Sequence, residues 1–485
     1  MISNRISNIF SNELTWKQAR PAVFGLFLLG LWLTLFLSLQ SGDIRNIAHP
    51  GLNYTFLQGF RAALPLIAAF VALAILVMKI YRQGSDLTLM MGPLGLMAVY
   101  GIVGVVASTL SPKGLDALYW SVSYLSVPLV LWAIVWRPNA MEWISRLILL
   151  NWLIVVLAVI ALFAFGFIYL TLGSFLISPS HWLDCSSQQW FDKSNHFIRD
   201  TGVGRYAALT GIISLSRLWH PKWRSLWTLV FLFSMMLLLY SGARTAMVGF
   251  GVAAPVIVLL SGGNRAALGL VAVGVVLIPV FWATGIHSDF FGNCIFRTNQ
   301  YTTATATSSS NTEPEIEITD SLDIPVVGIV PDRFFTFSGR TGVWKESLGM
   351  FPESPFLGYG FHADRFLLNT HAHNSFVHAL LQTGAIGTIP FLLALLLAWL
   401  LLIRASLKQF IFSQDQKSLF IQVSGMLTFL SVRSFSESTG AFFGVDWFLL
   451  GPILLFLQLV NSDVTGTDAP SQQIGEYASD KRTFS

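Results

Sequence analysis

Apolar runs long enough to cross a lipid bilayer recur along most of this chain, and they restrict its fold more than any other feature. A helix of about 20 apolar residues spans the hydrocarbon layer. Helices are favoured there because a backbone without water must satisfy its own N–H and C=O groups. Dividing the chain at its polar breaks gives windows near 22–39, 62–80, 88–109, 115–136, 147–172, 202–219, 225–240, 245–260, 266–284, 385–403, 419–435 and 442–460. The fold expected is all-α, a polytopic membrane protein of about twelve transmembrane helices. Only 11% of the 485 residues are charged, against about 25% in a soluble domain. The formal charge of +4 is small for this length. It reads as a topology signal rather than as affinity for nucleic acid.

The order of basic residues sets the orientation. Arg5, Lys17 and Arg20 precede the first window. Lys79 and Arg82, Arg137 and Arg146, Arg217, Lys222 and Arg224, and Arg265 follow at alternate connections, then Arg404, Lys408 and Lys417, and finally Lys481 and Arg482. That alternation predicts both termini on the cytoplasmic side. No small-residue cleavage site follows Ala22–Leu39, so this window is expected to be a retained span. Ile144–Ile177 is long for one upright span, and the basic connection Arg217–Arg224 favours reading it as one long or tilted helix.

With this parity one large loop faces outward between the ninth and tenth spans. The chain divides into a membrane bundle (1–284), the loop (285–374), the last three spans (375–460) and a cytoplasmic tail (461–485). Residues 298–323 are Ser/Thr-rich and then acidic, a solvated or disordered excursion by composition. From Ile324 apolar residues return; Thr341–Met350 has the pattern of a short amphipathic helix, and Pro352, Pro355, Gly358 and Gly360 then impose turns. The two cysteines, Cys185 and Cys294, both fall outside the membrane, where a disulfide and two free thiols are equally open.

The residues able to do chemistry collect on this outer face. Arg340 lies in Ser-Gly-Arg-Thr-Gly, and Arg244 in Ser-Gly-Ala-Arg-Thr at the end of a span. An arginine at a span end can snorkel to the interface; it can also face a water-filled cavity and bind an anion. Guanidinium groups stay charged and grip phosphate oxygens in pairs, so two of them could hold a diphosphate and neutralise its charge as it leaves. His371, His373 and Asn374 form His-Ala-His-Asn just before the tenth span. An imidazole titrates near neutral pH, which suits removal of a proton from a sugar hydroxyl. A helix cap or a surface histidine is the bland alternative for His373. His371 and His373 with His362 and His378 could suggest zinc, but no clear carboxylate or cysteine ligand accompanies them. Arg433 and Glu437, at the outer end of the eleventh span, read as an ion pair or as residues lining the same cavity, the pair being favoured, and Arg205 as a further cation at the mouth of the sixth.

At these positions the chain resembles the O-antigen ligase and O-antigen polymerase superfamily of bacterial inner-membrane glycosyltransferases. The ligase pattern is His, then Asn, Ser or Gln, nine residues, then Gly-x-x-Gly. Here it reads His373-Asn374, the nine residues Ser375–Thr383, then Gly384-Ala-Ile-Gly387. Arg340-Thr-Gly-Val-Trp344, Pro355-Phe-Leu-Gly358-Tyr-Gly360 and Ser241-Gly-Ala-Arg244-Thr also look like the shared core. The resemblance implies a GT-C-like fold and transfer of glycan from undecaprenyl diphosphate, without metal or other cofactor. The acceptor would be a hydroxyl of lipid A–core, or of a growing glycan in a polymerase. It makes His373 the base and Arg244 and Arg340 the diphosphate ligands, with His371, Asn374, Arg433, Glu437 and Arg205 as possible support. A protein O-oligosaccharyltransferase would share the donor site. A transporter would instead concentrate charge near the bilayer midplane, whereas these spans carry few ionisable residues.

Overall fold

The computed structural model describes residues 30, 32, 56–83, 90–135, 139–168, 200–218, 223–240, 243–262, 340–408 and 412–463. Its helices are α1 (Phe56–Gln83), α2 (Pro93–Ser108), α3 (Gly114–Val135), α4 (Ala140–Ile168), α5 (Asp200–Arg217), α6 (Arg224–Tyr240), α7 (Arg244–Leu260), α8 (Arg340–Met350), α9 (Ala363–Leu367), α10 (Ser375–Leu407), α11 (Gln414–Ser434) and α12 (Val445–Asp463). No strand occurs among the described residues. Five helices carry windows long and apolar enough to cross a membrane: α1, α3, α4, α10 and α12. Helices α2, α6 and α7 are shorter but also apolar. α4 runs unbroken through Ile168, as the single-helix reading of that region expected.

The windows near 202–219 and 419–435 are helical as α5 and α11, yet neither is apolar enough to count as a span by composition. The reason is packing. α11 buries Gln422, Ser424, Thr428 and Arg433, and α5 buries Thr210 and Ser214. These polar side chains face other helices rather than lipid; Ser214, Ser424 and Thr428, for instance, donate to backbone carbonyls one turn back. The window near 266–284 lies outside the described residues. So does that near 22–39, apart from Gly30 and the buried Trp32, whose indole donates to Asn151. Cys185, Cys294 and the 298–323 insert lie outside them too.

α12 forms the middle of the bundle, with 89% of its apolar window buried, while α1 is peripheral at 28%. Phe70, Ile67, Val77 and Met78 of α1 are exposed. Apolar surface of that extent is stable against lipid and costly against water. The length and composition of these helices are those of a multi-pass membrane protein.

Contacts along the helices fix their directions. α7 packs antiparallel to α11, with Gly249 beside Phe429 and Ile257 beside Gly425. α2 ends, and α3 begins, against the 360–362 turn: Gly104 lies against Phe361, Ala117 against Gly360, and Trp120 stacks on His362. Arg205 near the start of α5 meets Asp446 at the start of α12. One end of the bundle therefore gathers the starts of α3, α5, α7, α10 and α12 with the end of α11. The basic residues Lys79, Arg217, Arg404, Lys408 and Lys417 lie at the opposite helix ends.

α10 is broken where the site needs it to be. Gly384 departs from helical geometry at φ 57°, ψ −160°. The turn 355–360 docks its backbone into that break: Tyr359 N donates to Leu381 O (2.9 Å) and Gly360 N to Gln382 O (2.8 Å). In return Ala385 N donates to Pro355 O (2.8 Å) and Ile386 N to Phe356 O (3.1 Å). A Cβ on Gly384 would come within 2.4 Å of the Phe356 carbonyl carbon, and one on Gly358 within 2.6 Å of Leu381 O. Both glycines also hold positive φ, so left-handed geometry and close backbone approach coincide. Gly384→Ala should destabilise the protein by roughly 2 kcal/mol or more. Its unfolding midpoint in detergent should fall clearly, whereas Gly342→Ala, with nothing within 4 Å of the added Cβ, should leave it unchanged or slightly raised.

Candidate active site

The site is built where three segments distant in sequence meet: the start of α8, the turn leading into α10, and the connection from α11 to α12. Glu437, on that connection, joins them. Its Oε1 accepts from Arg340 Nη2 at 3.1 Å and its Oε2 from His373 Nδ1 at 3.1 Å. Arg340 Nη1 also donates to Ser436 O. Because an ionised carboxylate can only accept, His373 must carry its proton on Nδ1. When the ring is neutral, Nε2 carries its lone pair. Burial alone would raise the Glu437 carboxyl, but the hydrogen bond from His373 and the charges of Arg433, His373 and Arg340 outweigh it and hold the group at about 2.

The backbone around His373 is fixed from several directions. His373 adopts φ 47°, a left-handed conformation uncommon for a side chain other than glycine. Asn374 follows as the N-cap of α10, its Oδ1 accepting from Phe376 N (2.9 Å) and Val377 N (3.0 Å). Asn374 Nδ2 donates to Phe435 O (3.0 Å). Ser375 Oγ lies 2.9 Å from Glu437 O and 2.8 Å from Thr439 O, tying the start of α10 to the same connection.

The four histidines considered together in sequence separate in space. His373 goes to Glu437. His362 stacks on Trp120 with ring centroids 4.0 Å apart. His371 and His378 converge on Asp364 of α9, a fully buried carboxylate. Asp364 Oδ2 accepts from His371 Nδ1 (2.8 Å) and from Ala372 N (3.1 Å), and Oδ1 lies 3.3 Å from His378 Nε2. Asp364, His371 and His378 are the described residues whose donor atoms lie close enough together to hold a metal ion. His371 Nδ1 is already hydrogen-bonded to Asp364 Oδ2, and a metal would have to displace that bond. Burial lowers the His371 pKa to about 4, only partly offset by Asp364. Its ring is therefore a neutral donor at physiological pH.

The expected pair of Arg433 with Glu437 is corrected by the geometry. Arg433 Nη1 donates to Asp446 Oδ2 (2.6 Å), and Arg205 Nη1 to Asp446 Oδ1 (3.3 Å), so one carboxylate serves two buried or half-buried arginines. Charge decides this exchange: Glu437 is already occupied by Arg340 and His373. Arg244 opens α7 and is exposed at the same end of the bundle. Arg205 and Arg433 therefore share Asp446, while Arg340 belongs to Glu437.

Sequence reading did not select Asp364, Asp446, Ser375 or Trp344. Asp364 had a faint signal, a lone acid between the turn glycines and the histidines. The others are ordinary residues until the chain is folded. The expected helix at Thr341–Met350 is present as α8, with Arg340 as its first residue.

Residues 228–392, roughly a third of the chain, match the family model described as O-antigen ligase. Over this region the chain is similar to the O-antigen ligase family. The match takes in Arg244, Arg340, the His371–Asn374 cluster and the Gly384 break. At family level this similarity suggests glycosyl transfer of the ligase or polymerase type. No curated protein matches the chain.

The shifted groups predict two adjacent pH windows, and in both of them stability is lost as pH falls. His371 binds its proton more weakly folded (about 4) than unfolded (about 6.5). Its contribution to stability is full above the unfolded value and declines as pH falls through this interval. His371→Asn, which keeps a donor toward Asp364, should flatten the fall in unfolding midpoint across that range. Glu437 acts lower, its contribution being lost from about 4.3 down to its folded value of about 2.

Proposed function

We propose that the protein transfers a glycan from undecaprenyl diphosphate to a sugar hydroxyl, with His373 as general base and Arg340 and Arg244 as diphosphate ligands. The observation that carries this reading is Glu437, which accepts from His373 and Arg340 with its two oxygens. It leaves Nε2 of His373 able to take a proton and keeps a guanidinium beside it. The acceptor oxygen attacks the anomeric carbon while its proton passes to His373 Nε2. The bond from that carbon to the diphosphate oxygen breaks, and its electron pair leaves with the lipid diphosphate. The leaving group gains negative charge, which the arginines stabilise in place of a metal ion. Positioning and proton removal are the remaining tasks.

In this reading the chain has about twelve spans in a GT-C-like arrangement. The bundle 1–284, the loop 285–374, the spans 375–460 and the tail 461–485 are its parts. It resides in the bacterial inner membrane with the site facing the periplasm, as the basic residues at the opposite helix ends favour. The lipid A–core acceptor of a ligase follows the family description. A polymerase that extends the lipid-linked glycan would use the same donor site.

Transfer from a lipid-linked donor by purified protein tests the reading. His373→Ala should lower the rate by about 100-fold or more, and Arg340→Ala and Arg244→Ala should fall comparably, while EDTA leaves the wild type unaffected. In a strain lacking the native gene, wild-type protein should restore capped lipid A–core, and the variants should accumulate long lipid-linked chains. Accumulation of single repeat units on the lipid would identify a polymerase. Activity of all three variants at the wild-type level would refute the site.

A further inference from the structure

We infer that Asp364 is a positioning residue for His373, acting together with Trp344 through the peptide groups that precede it. This inference rests on the reading of His373 as the base. Asp364 touches neither His373 nor the space beside it. Its Oδ2 instead receives two N–H groups from the two preceding residues, the His371 ring at 2.8 Å and the Ala372 backbone at 3.1 Å. From α8, Trp344 Nε1 donates to Ala372 O at 2.6 Å. Ala372, itself fully buried, is thus held at its N–H by one element and at its C=O by another.

The next residue is His373 at φ 47°. A side-chain-bearing residue holds that conformation only where its surroundings over-determine it. The peptide joining residues 372 and 373 carries the Ala372 carbonyl, so fixing that carbonyl restricts the rotation of this peptide and the direction of the His373 side chain. The ring of His371 adds a lateral contact, 5.1 Å between centroids from the His373 ring. Trp344 and Arg340 belong to the same helix. The element that supplies the proposed diphosphate ligand therefore also fixes the proposed base.

Asp364 as a metal ligand is the competing assignment. It predicts a different result, because a ligand set would retain an ion whereas a hydrogen-bonded clamp would not. Asp364→Asn keeps size and one acceptor oxygen but loses the charge that holds both N–H groups. In donor-limited kinetics its kcat should fall about 10-fold or more, with KM for the lipid-linked donor within about twofold of wild type. Trp344→Phe should show a smaller fall of the same kind. Added to His373→Ala, Asp364→Asn should cause no further loss.

Rates are to be normalised to folded protein by gel filtration and unfolding midpoint. Should Asp364→Asn not fold, Trp344→Phe and its double variant with His373→Ala carry the test. Wild-type kcat in the folded Asp364→Asn and Trp344→Phe variants, or equal losses with and without His373, would overturn the inference. So would stoichiometric zinc, measured by mass spectrometry after Zn2+ addition, bound by wild type and absent from Asp364→Asn. An active His373→Ala would instead remove the reading on which the inference rests.

Discussion

One carboxylate holds this end of the bundle together. Glu437 accepts from Arg340, 97 positions before it in the chain, and from His373, 64 positions before it. Neither partner is placed by its own helix alone: Arg340 is the first residue of α8, and His373 lies in the turn before α10. In a half-buried setting each unpaired charge would be costly. The three groups therefore specify one another's positions. The same bonds set the protonation pattern, because a carboxylate held ionised at about 2 requires a donor nitrogen from His373. Structure and reactivity follow from one set of contacts.

A second constraint places this arrangement at one end of the helical bundle. Gly384 interrupts α10, and the turn 355–360 fills the gap with four backbone hydrogen bonds. The first turns of α10 are thereby held against the segment that carries Asp364, His371 and His373, while the remainder continues as an apolar helix through Leu407. The glycines that mark this region in sequence serve close backbone contact. Two buried tyrosines complete the floor: Tyr100 donates to Ala441 O and Tyr124 to Gly440 O, fixing the connection that carries Glu437 from beneath.

Much of this was legible in residue order. Apolar run length announced helices, and the broad order of α1 to α7 and α10 to α12 follows those runs. Arg244, Arg340, His371, His373 and Asn374 stood out because charge and imidazole are rare in a chain of this composition. The pairing was less legible. Arg433 and Glu437 are four positions apart and invite an ion pair, yet the fold gives Asp446 to Arg433 and Arg340 to Glu437. Local spacing could not reveal that exchange, because Asp446 and Arg340 arrive on other helices.

Sequence by itself determined the helical class, the apolar windows and the residue types available for chemistry. These depend on local composition, and the transfer of each run from water to lipid is nearly independent of its neighbours. Tertiary structure decided which carboxylate meets which cation, the tautomer of His373, the role of the Gly384 break and the convergence of His371 and His378 on Asp364. Each depends on groups separated by tens of residues reaching hydrogen-bond distance. A hydrogen bond fades within an ångström or so of its optimum, and only the packed arrangement of the helices fixes such distances.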